Sequence, residues 1–482
     1  MNIIINGFHD VILKKVLRRL LNNNIVDTAY LISNDRNERN IYKLKAKVLD
    51  FKKISLGNYP VDWEDLIPLD KDLLESMYSC ETIALKMIER IEPHIGKLSY
   101  NRRKEIYLNH LRYWNHIINT ENIKYFVSSN IPHEVYDFVI YGLCKLKEIK
   151  MIFLHQTIPG FLMLLKDFNP FFTELNEKFA ENLKLYKNKE LKLNERGERL
   201  LNSQTSKNKD PIPVYMTKNT FGKKTGMVIL KMSYAVSKLF TSEFYKNVLN
   251  FRLYSIFFFR LVFSKFYKLK SIIFNIYYES IQQVPDFNET FIYFPLHYQP
   301  ELTTSPLADG FVNQKLIVDL MHYHLPEGVK IYVKEHPKQT CWTRSISFYK
   351  ELKNLKNVKL ISKKFNSFRL IEKCAAVATA TGTAGWEAVF RKKPVLLFGN
   401  FFYQYVPGVY SIRTGKDLVF AYDAIFKKNS VPDLHMVKIF VKTFEEMTLS
   451  ASYAQIYQYS NMNEESNSEV IYQGIVKKLE KY

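Results

Sequence analysis

At 482 residues the chain exceeds one ordinary domain, and about two or three are expected. Hydrophobic residues make up 47% and charged residues 24%, as in globular proteins, and no stretch of ~20 apolar residues runs without charge, so no membrane-crossing helix is predicted. Lys+Arg 69 against Asp+Glu 48 leaves +21, with 15% aromatics, which points to an anionic partner: a phosphorylated or acidic substrate, anionic lipid, or nucleic acid.

The 4 cysteines are far apart and form no CxxC pair, so neither a structural zinc site nor a disulfide framework is expected, and a reducing cytoplasm is the default. MNIIINGFHD runs straight into a strand-like segment, with no basic region followed by a long apolar core, so a signal peptide is not indicated.

In chain order, Met1–Ile5 reads as a buried strand, Gly7 to Asp10 as its exit turn and Val11–Leu21 as a basic amphipathic helix. Ala29–Ser33 is a second strand and Asn34–Asn40 a polar loop. Apolar spacing of three and four predicts mostly helix from Glu64 to Asn119. Ile123–Ser128 is a strand, Asn130–Glu134 its exit turn, and Val135–Lys147 a helix begun near Pro132. Lys150–Leu154 is the next strand, closed by His155–Gly160.

Composition then changes. Asn202–Pro213 reads as a solvated loop, and Val228–Glu279 interleaves aromatic and basic residues, densest from Phe244 to Lys268. Arg260 interrupts its apolar run, so two readings stay open: an amphipathic helix on an anionic membrane surface, or a helical insertion packed on the sheet with snorkelling lysines.

Alternation resumes with strands at Phe291–Leu296, Val329–Val333, Val358–Ser362, Ala375–Ala380 and Pro394–Phe398. Helices are predicted at Gln314–Tyr323, Phe348–Leu355, Ser367–Lys373, Trp386–Lys392, Asp433–Leu449 and Ser468–Lys478. Strands alternating with helices predict parallel, doubly wound sheets. The expected division is residues 1–285 with an insertion at about 167–285, then 286–450, then a helical tail at 451–482.

In such sheets ligands bind beyond the carboxyl ends of the strands, and the polar clusters of this chain fall there. Thr381, Gly382 and Thr383 form a small-residue turn before a helix, either a phosphate cradle or a close packing turn. Lys334 and His336 can place donors on a phosphate, with Pro337 fixing the turn. Glu387, read in the first turn of the following helix, can take ribose hydroxyls or serve only the helix dipole. Glu134 and His133 are candidate general bases for a hydroxyl nucleophile, with helix-end electrostatics the alternative for Glu134. His297, Gln299, Glu301, His155 and Asp10 complete the candidates, as substrate contacts. No GxxxxGK[ST], HExxH or GxSxG occurs and no DxD-type acidic pair stands out as a divalent-metal holder, so metal-independent chemistry without a bound cofactor is expected. The lysines are spread along the chain, so nucleic-acid binding is not expected.

The succession FIYFPLHYQPE (Phe291–Glu301), YVKEHP (Tyr332–Pro337) and TATGTAGWEAVFRKKPVLLFGNFFY (Thr379–Tyr403) resembles bacterial capsule and surface-polysaccharide glycosyltransferases. Those related to Kdo transferases are the nearest group. The His-Pro dipeptide followed by a Thr–Gly turn is also similar to GT-B sialyltransferases that use CMP-sugars. The resemblance implies a GT-B-like α/β protein, two Rossmann-like domains facing a central cleft, with the donor on the second and no metal in the transfer. It implies His336 on the donor phosphate, Thr381, Gly382 and Thr383 around phosphate, and Glu387 toward the ribose. The implied partners are a nucleotide-sugar donor, CMP-sugar favoured over UDP-sugar, and a glycan or lipid-linked glycan acceptor. The implied place is the cytoplasm, peripheral on the inner face of the membrane. A UDP-sugar enzyme and a non-catalytic glycan-binding or assembly subunit are the alternatives.

Overall fold

The computed structural model describes residues 1–23, 25–33, 46–92, 96–168, 173–205, 269–453 and 463–480. The aromatic and basic stretch from Phe244 to Lys268, on which the membrane-surface reading rests, lies outside them, as does the Asn34–Asn40 loop.

The first half runs β1 (Asn2–Asn6), α1 (Val11–Asn22), β2 (Thr28–Ser33), β3 (Ala46–Asp50), α2 (Tyr78–Met87), α3 (Tyr100–Thr120), β4 (Ile123–Ser128), α4 (Val135–Leu146), β5 (Lys150–Ile158), β6 (Phe161–Leu165), α5 (Thr173–Tyr186) and α6 (Glu195–Thr205). Its sheet has the order β3-β2-β1-β4-β5-β6, parallel except for β6. An unbroken apolar strand such as Ile3-Ile4-Ile5 needs cover on both faces. Ile3 and Ile5 pack with Leu13 and Val16 of α1, while Ile4 belongs to the cluster holding Trp114 of α3 and Val139 of α4. Each fully buried Ile contributes about 1.5–3 kcal/mol relative to exposure.

The second half begins with α7 (residues 269–281). It continues through β7 (Phe291–Pro295), α8 (Lys315–His324), β8 (Lys330–Lys334), α9 (Ile346–Lys353), β9 (Val358–Ile361), α10 (Ser367–Lys373), β10 (Ala376–Thr379), α11 (Thr383–Phe390), β11 (Val395–Leu397), β12 (Val409–Ser411) and α12 (Gly415–Tyr422). This sheet is parallel throughout, in the order β12-β11-β10-β7-β8-β9. The ends of β10, β7 and β8 are therefore neighbours, with Pro295 opposite Lys334.

Two helices return to the first half. In α13 (Leu434–Met447), Phe444 stacks on Phe161 of β6 at 5.2 Å and on Phe402 at 5.1 Å, so aromatic packing continues from one sheet to the other. In α14 (Glu464–Glu480), Glu469 pairs with Arg19 of α1 at 2.8 Å. Among the described residues no helix is long and apolar enough to cross a membrane.

Three expectations are corrected. β5 does not end at Leu154 but runs to Ile158, so His155 and Gln156 lie in a strand rather than an exit loop. Gly160, at φ +77°, turns the chain back into the antiparallel β6. The helix α11 starts at Thr383, not Trp386, so Thr383 to Gly385 belong to its first turn and Glu387 to its second. The strands β3 and β12 were not expected: both are short edge strands whose burial is partial, which leaves little apolar pattern to read.

Candidate active site

The turn after β10 is built from inside. His297, just past β7, is buried, and its Nε2 accepts the backbone N–H groups of Ala380 at 3.2 Å and Thr381 at 3.4 Å. Accepting twice, Nε2 carries no proton, and burial pushes the imidazole down to about 3, so the ring is neutral. Thr379 Oγ1 takes the Gly382 N–H at 2.9 Å, and the Thr381 hydroxyl donates to the Thr303 carbonyl at 2.5 Å. A Cβ on Gly382 would lie 2.6 Å from His297 Cε1, so only glycine fits. His297 thus shapes the turn from behind. The donors left to a ligand are the first helical N–H groups of α11, at Thr383 and Ala384, beside the exposed Thr383 side chain.

Gly385 has a different use. Its Cβ would stand 2.3 Å from the hydroxyl of the buried Tyr403, which itself donates to the Gly382 carbonyl at 2.6 Å. Gly385→Ala is expected to displace that ring and cost about 1–3 kcal/mol, read as a lower urea midpoint with an unchanged slope. An unchanged midpoint would count against this packing.

At the neighbouring strand end stands a buried cation. Lys334 is 7% exposed, its Nζ donates to Ser367 Oγ at 2.6 Å, and no carboxylate among the described residues pairs with it. Burial pushes it down to about 8. The adjacent Glu335 is already engaged: it forms a buried ion pair with Arg344 at 3.1 Å and accepts from the Tyr349 hydroxyl at 2.6 Å and the His336 N–H at 2.7 Å. Arg344 also donates to the His297 carbonyl at 3.2 Å, tying the two exits together.

His336 is neutral as well. Burial, then the charges of Lys338, Lys334, Arg344 and Lys363, push it down to about 4. Its Nδ1 accepts the Lys338 N–H at 3.2 Å, which leaves the proton on Nε2 as a donor. Glu387, partly exposed on α11, acts with burial to raise the phenols of Tyr293 and Tyr403. Tyr293 donates to Ser367 Oγ at 3.3 Å, so Glu387 and Lys334 flank the same tyrosine–serine pair. This end of the cleft offers N–H donors and positive charge, which suits phosphate.

The facing end is acidic. Glu134 is the N-cap residue of α4, yet its side chain makes no cap hydrogen bond. Its carboxylate instead stands 3.9 Å from Arg90, and burial raises its pKa while Arg90 lowers it. His133 Nδ1 meets the Ile131 carbonyl at 2.6 Å, so Nδ1 holds the proton and Nε2 is a bare acceptor; burial keeps the ring neutral, down to about 3. Glu301, in the loop after β7, is raised by burial and lowered by Arg90 and Lys338, so it lies between the two ends. A cavity of about 390 Å³ runs along α4 beyond Glu134, lined by Phe138, Tyr141 and Gly142 from one half and Pro306, Leu307 and Asn400 from the other.

The other expected contacts are spent on the protein itself. Asp10 caps α1 through the Ile12 N–H at 2.9 Å. Gln299 is buried in a loop network, its N–H on Gln339 Oε1 at 3.0 Å and its side-chain amide on the Val312 carbonyl at 3.3 Å. His155 is buried in β5 with Nδ1 on Asn130 Oδ1 at 3.0 Å. These bonds hold Asp10 at a helix end and Gln299 in a loop, while the buried Nε2 of His155 has no partner among the described residues. Arg90, Arg344 and Ser367 were not anticipated. Arg90 and Ser367 sit in helical turns and Arg344 in the loop before α9, and only the fold brings them together.

Residues 312–416 match the family described as "Capsule polysaccharide biosynthesis protein". No curated protein matches the chain. Among solved structures, the chain is similar to the UDP-GlcNAc 2-epimerase from Methanocaldococcus jannaschii, 14% identical over 92% of this chain and 97% of that one, with a TM-score of 0.27. It is also similar to the beta Kdo 2,7 transferase KpsC from Thermosulfurimonas dismutans, 12% identical over 74% of this chain and 86% of that one, TM-score 0.27. A glycosyltransferase from Rickettsia africae ESF-5 is 11% identical over 99% of this chain and 98% of that one, TM-score 0.31. The stretch that matches the capsule polysaccharide biosynthesis family, residues 312–416, holds Lys334, His336, the Thr381–Thr383 turn and Glu387.

Proposed function

We propose that this chain is a glycosyltransferase of capsule synthesis that moves a sugar from a nucleotide donor to a glycan acceptor. The observation that carries this is Lys334, a buried ammonium with no carboxylate partner among the described residues, set beside the neutral donor His336. Burying a cation unpaired is costly, and a bound phosphate supplies the missing charge. The N–H groups of Thr383 and Ala384 add to the same end. The donor we favour is a CMP-activated ulosonic acid such as Kdo or a sialic-acid-like sugar, because the His336-Pro337 motif is similar to that of CMP-sugar enzymes and one buried ammonium suits a single phosphate. The acceptor, a glycan or lipid-linked glycan, would enter along the α4 cavity. The enzyme would work in the cytoplasm, peripheral to the membrane.

In the transfer, Glu134 takes the proton of an acceptor hydroxyl as that oxygen bonds to the anomeric carbon. The bond from that carbon to the phosphate oxygen breaks, and its electron pair leaves with the nucleotide. Lys334 and His336 receive the charge so released, with no metal required of the step.

A thermal-shift and calorimetric screen against CMP, UDP, GDP and ADP tests the reading. CMP is expected to stabilise the chain most, by about 2.7 kcal/mol at a hundredfold excess over Kd. A UDP preference would assign a UDP-sugar donor instead. Stabilisation by none of the four, with glycan binding retained, would overturn the enzyme in favour of an assembly subunit.

A further inference from the structure

Arg90 stands where the two halves meet. Its side chain is 13% exposed, its Nη2 donates to the Ser305 carbonyl of the second half at 3.3 Å, and its Nη1 lies 3.9 Å from Glu134 of the first. Its Nε–H is buried with no partner among the described residues. The guanidinium faces Glu134 and Asp137 from the start of α4 and Glu301 from the loop after β7. His133 also feels its charge, and Lys338 acts on Glu301. On its own turn, Glu89 is held by Lys86 at 2.7 Å, so that carboxylate is engaged elsewhere.

We propose that Arg90 is a positioning residue that keeps Glu134 ionised and ties the charge on Glu134 to the meeting of the two halves. This rests on the reading of Glu134 as the base. Glu134 makes no helix-cap hydrogen bond, so Arg90 is the group that offsets its burial. The contact that aims Arg90 comes from the other half, at Ser305, and of the two further carboxylates that act on it Glu301 comes from there too, while Asp137 comes from α4 itself. Where the two halves meet, Glu134 is desolvated and the guanidinium is held beside it. The base is then dry enough to hold a proton strongly, yet still charged until an acceptor hydroxyl arrives.

The test is a ¹³C-carboxyl NMR titration of the full chain labelled at glutamate, with the Glu134 signal assigned as the one lost in Glu134→Gln. Arg90→Met is expected to raise the Glu134 midpoint by about one pH unit or more, and Arg90→Lys, which keeps the charge, to restore most of it. Glu301→Gln, a second and milder variant, is expected to lower the midpoint by freeing more of the Arg90 charge for Glu134. A residue that only held the fold would leave these midpoints in place. An unmoved midpoint in folded Arg90→Met overturns the proposal. Where that variant does not fold, an unmoved midpoint in Glu301→Gln overturns it. CMP binding by calorimetry is expected to survive in every variant, which separates failure of this coupling from failure of the glycosyltransferase reading.

Discussion

Lys334→Met is expected to weaken nucleotide binding about 10- to 100-fold and, in the same variant, to stabilise the ligand-free chain. The first effect follows from losing a charge-assisted contact to phosphate, on the order of 1.5–3 kcal/mol. The second follows from the burial of the ammonium, which pushes it down to about 8. Methionine fills a similar volume without a charge to desolvate, and Ser367 keeps its bond from Tyr293. A gain of about 1–3 kcal/mol is expected. The pH dependence has opposite signs for the two quantities. Lys334 in the folded chain gives up its proton near pH 8, whereas an unfolded lysine holds it to about 10.4. Between those values the unfolded state binds the extra proton, so the stability of the ligand-free chain rises with pH. Over the same window the ammonium disappears from the site, so nucleotide affinity falls. The methionine variant should show neither trend from this position. Calorimetry with CMP and urea melts between pH 7 and 10 measure both, and unchanged affinity in Lys334→Met would remove Lys334 from the donor site.

The strand exits were readable from the sequence because parallel sheets place their ligands there, and Lys334, His336, His133 and Glu134 are at such exits. The sequence does not say which exit residue is used on ligand and which on the chain itself. His297 and His336 follow neighbouring strands and look alike in one dimension. Only the fold brings His297 to the backbone of Ala380 and Thr381, more than eighty positions away, and turns His336 outward among lysines. The TGTAG run reads as a loop because small residues mark turns. Here Gly385 is small for packing against Tyr403, and its backbone is already helical. β6 escaped because its apolar run, FLMLL, follows a two-residue turn rather than a helix, which breaks the strand–helix alternation used to find the others. Arg90 was invisible for a stronger reason: its partners, Glu134 and Ser305, are about 44 and 215 positions away, and nothing local distinguishes it from any helical arginine.

Glu134→Gln is expected to lower turnover about 10²- to 10⁴-fold while leaving CMP affinity intact, the range for removing a general base. The substitution keeps shape and takes away the negative charge, so Arg90 loses its 3.9 Å partner within the first half while its bond to Ser305 remains. In the unmodified chain the carboxyl is raised above its ordinary range by burial, against the opposing charge of Arg90. A base must be unprotonated to act, so the rate should rise with pH through the Glu134 midpoint, and that midpoint should lie above the usual carboxylate range. In the glutamine variant this acid limb should vanish along with most of the rate. His133→Ala supplies the comparison. Its ring stays neutral down to about 3, so its titration cannot produce a limb near neutrality. Its Nδ1 bond to the Ile131 carbonyl fits a role in holding the loop that presents Glu134. A modest, pH-independent loss is therefore expected from His133→Ala. Full turnover in Glu134→Gln, with the large loss appearing in His133→Ala, would transfer the base to the imidazole. The carboxylate would then serve only to balance Arg90.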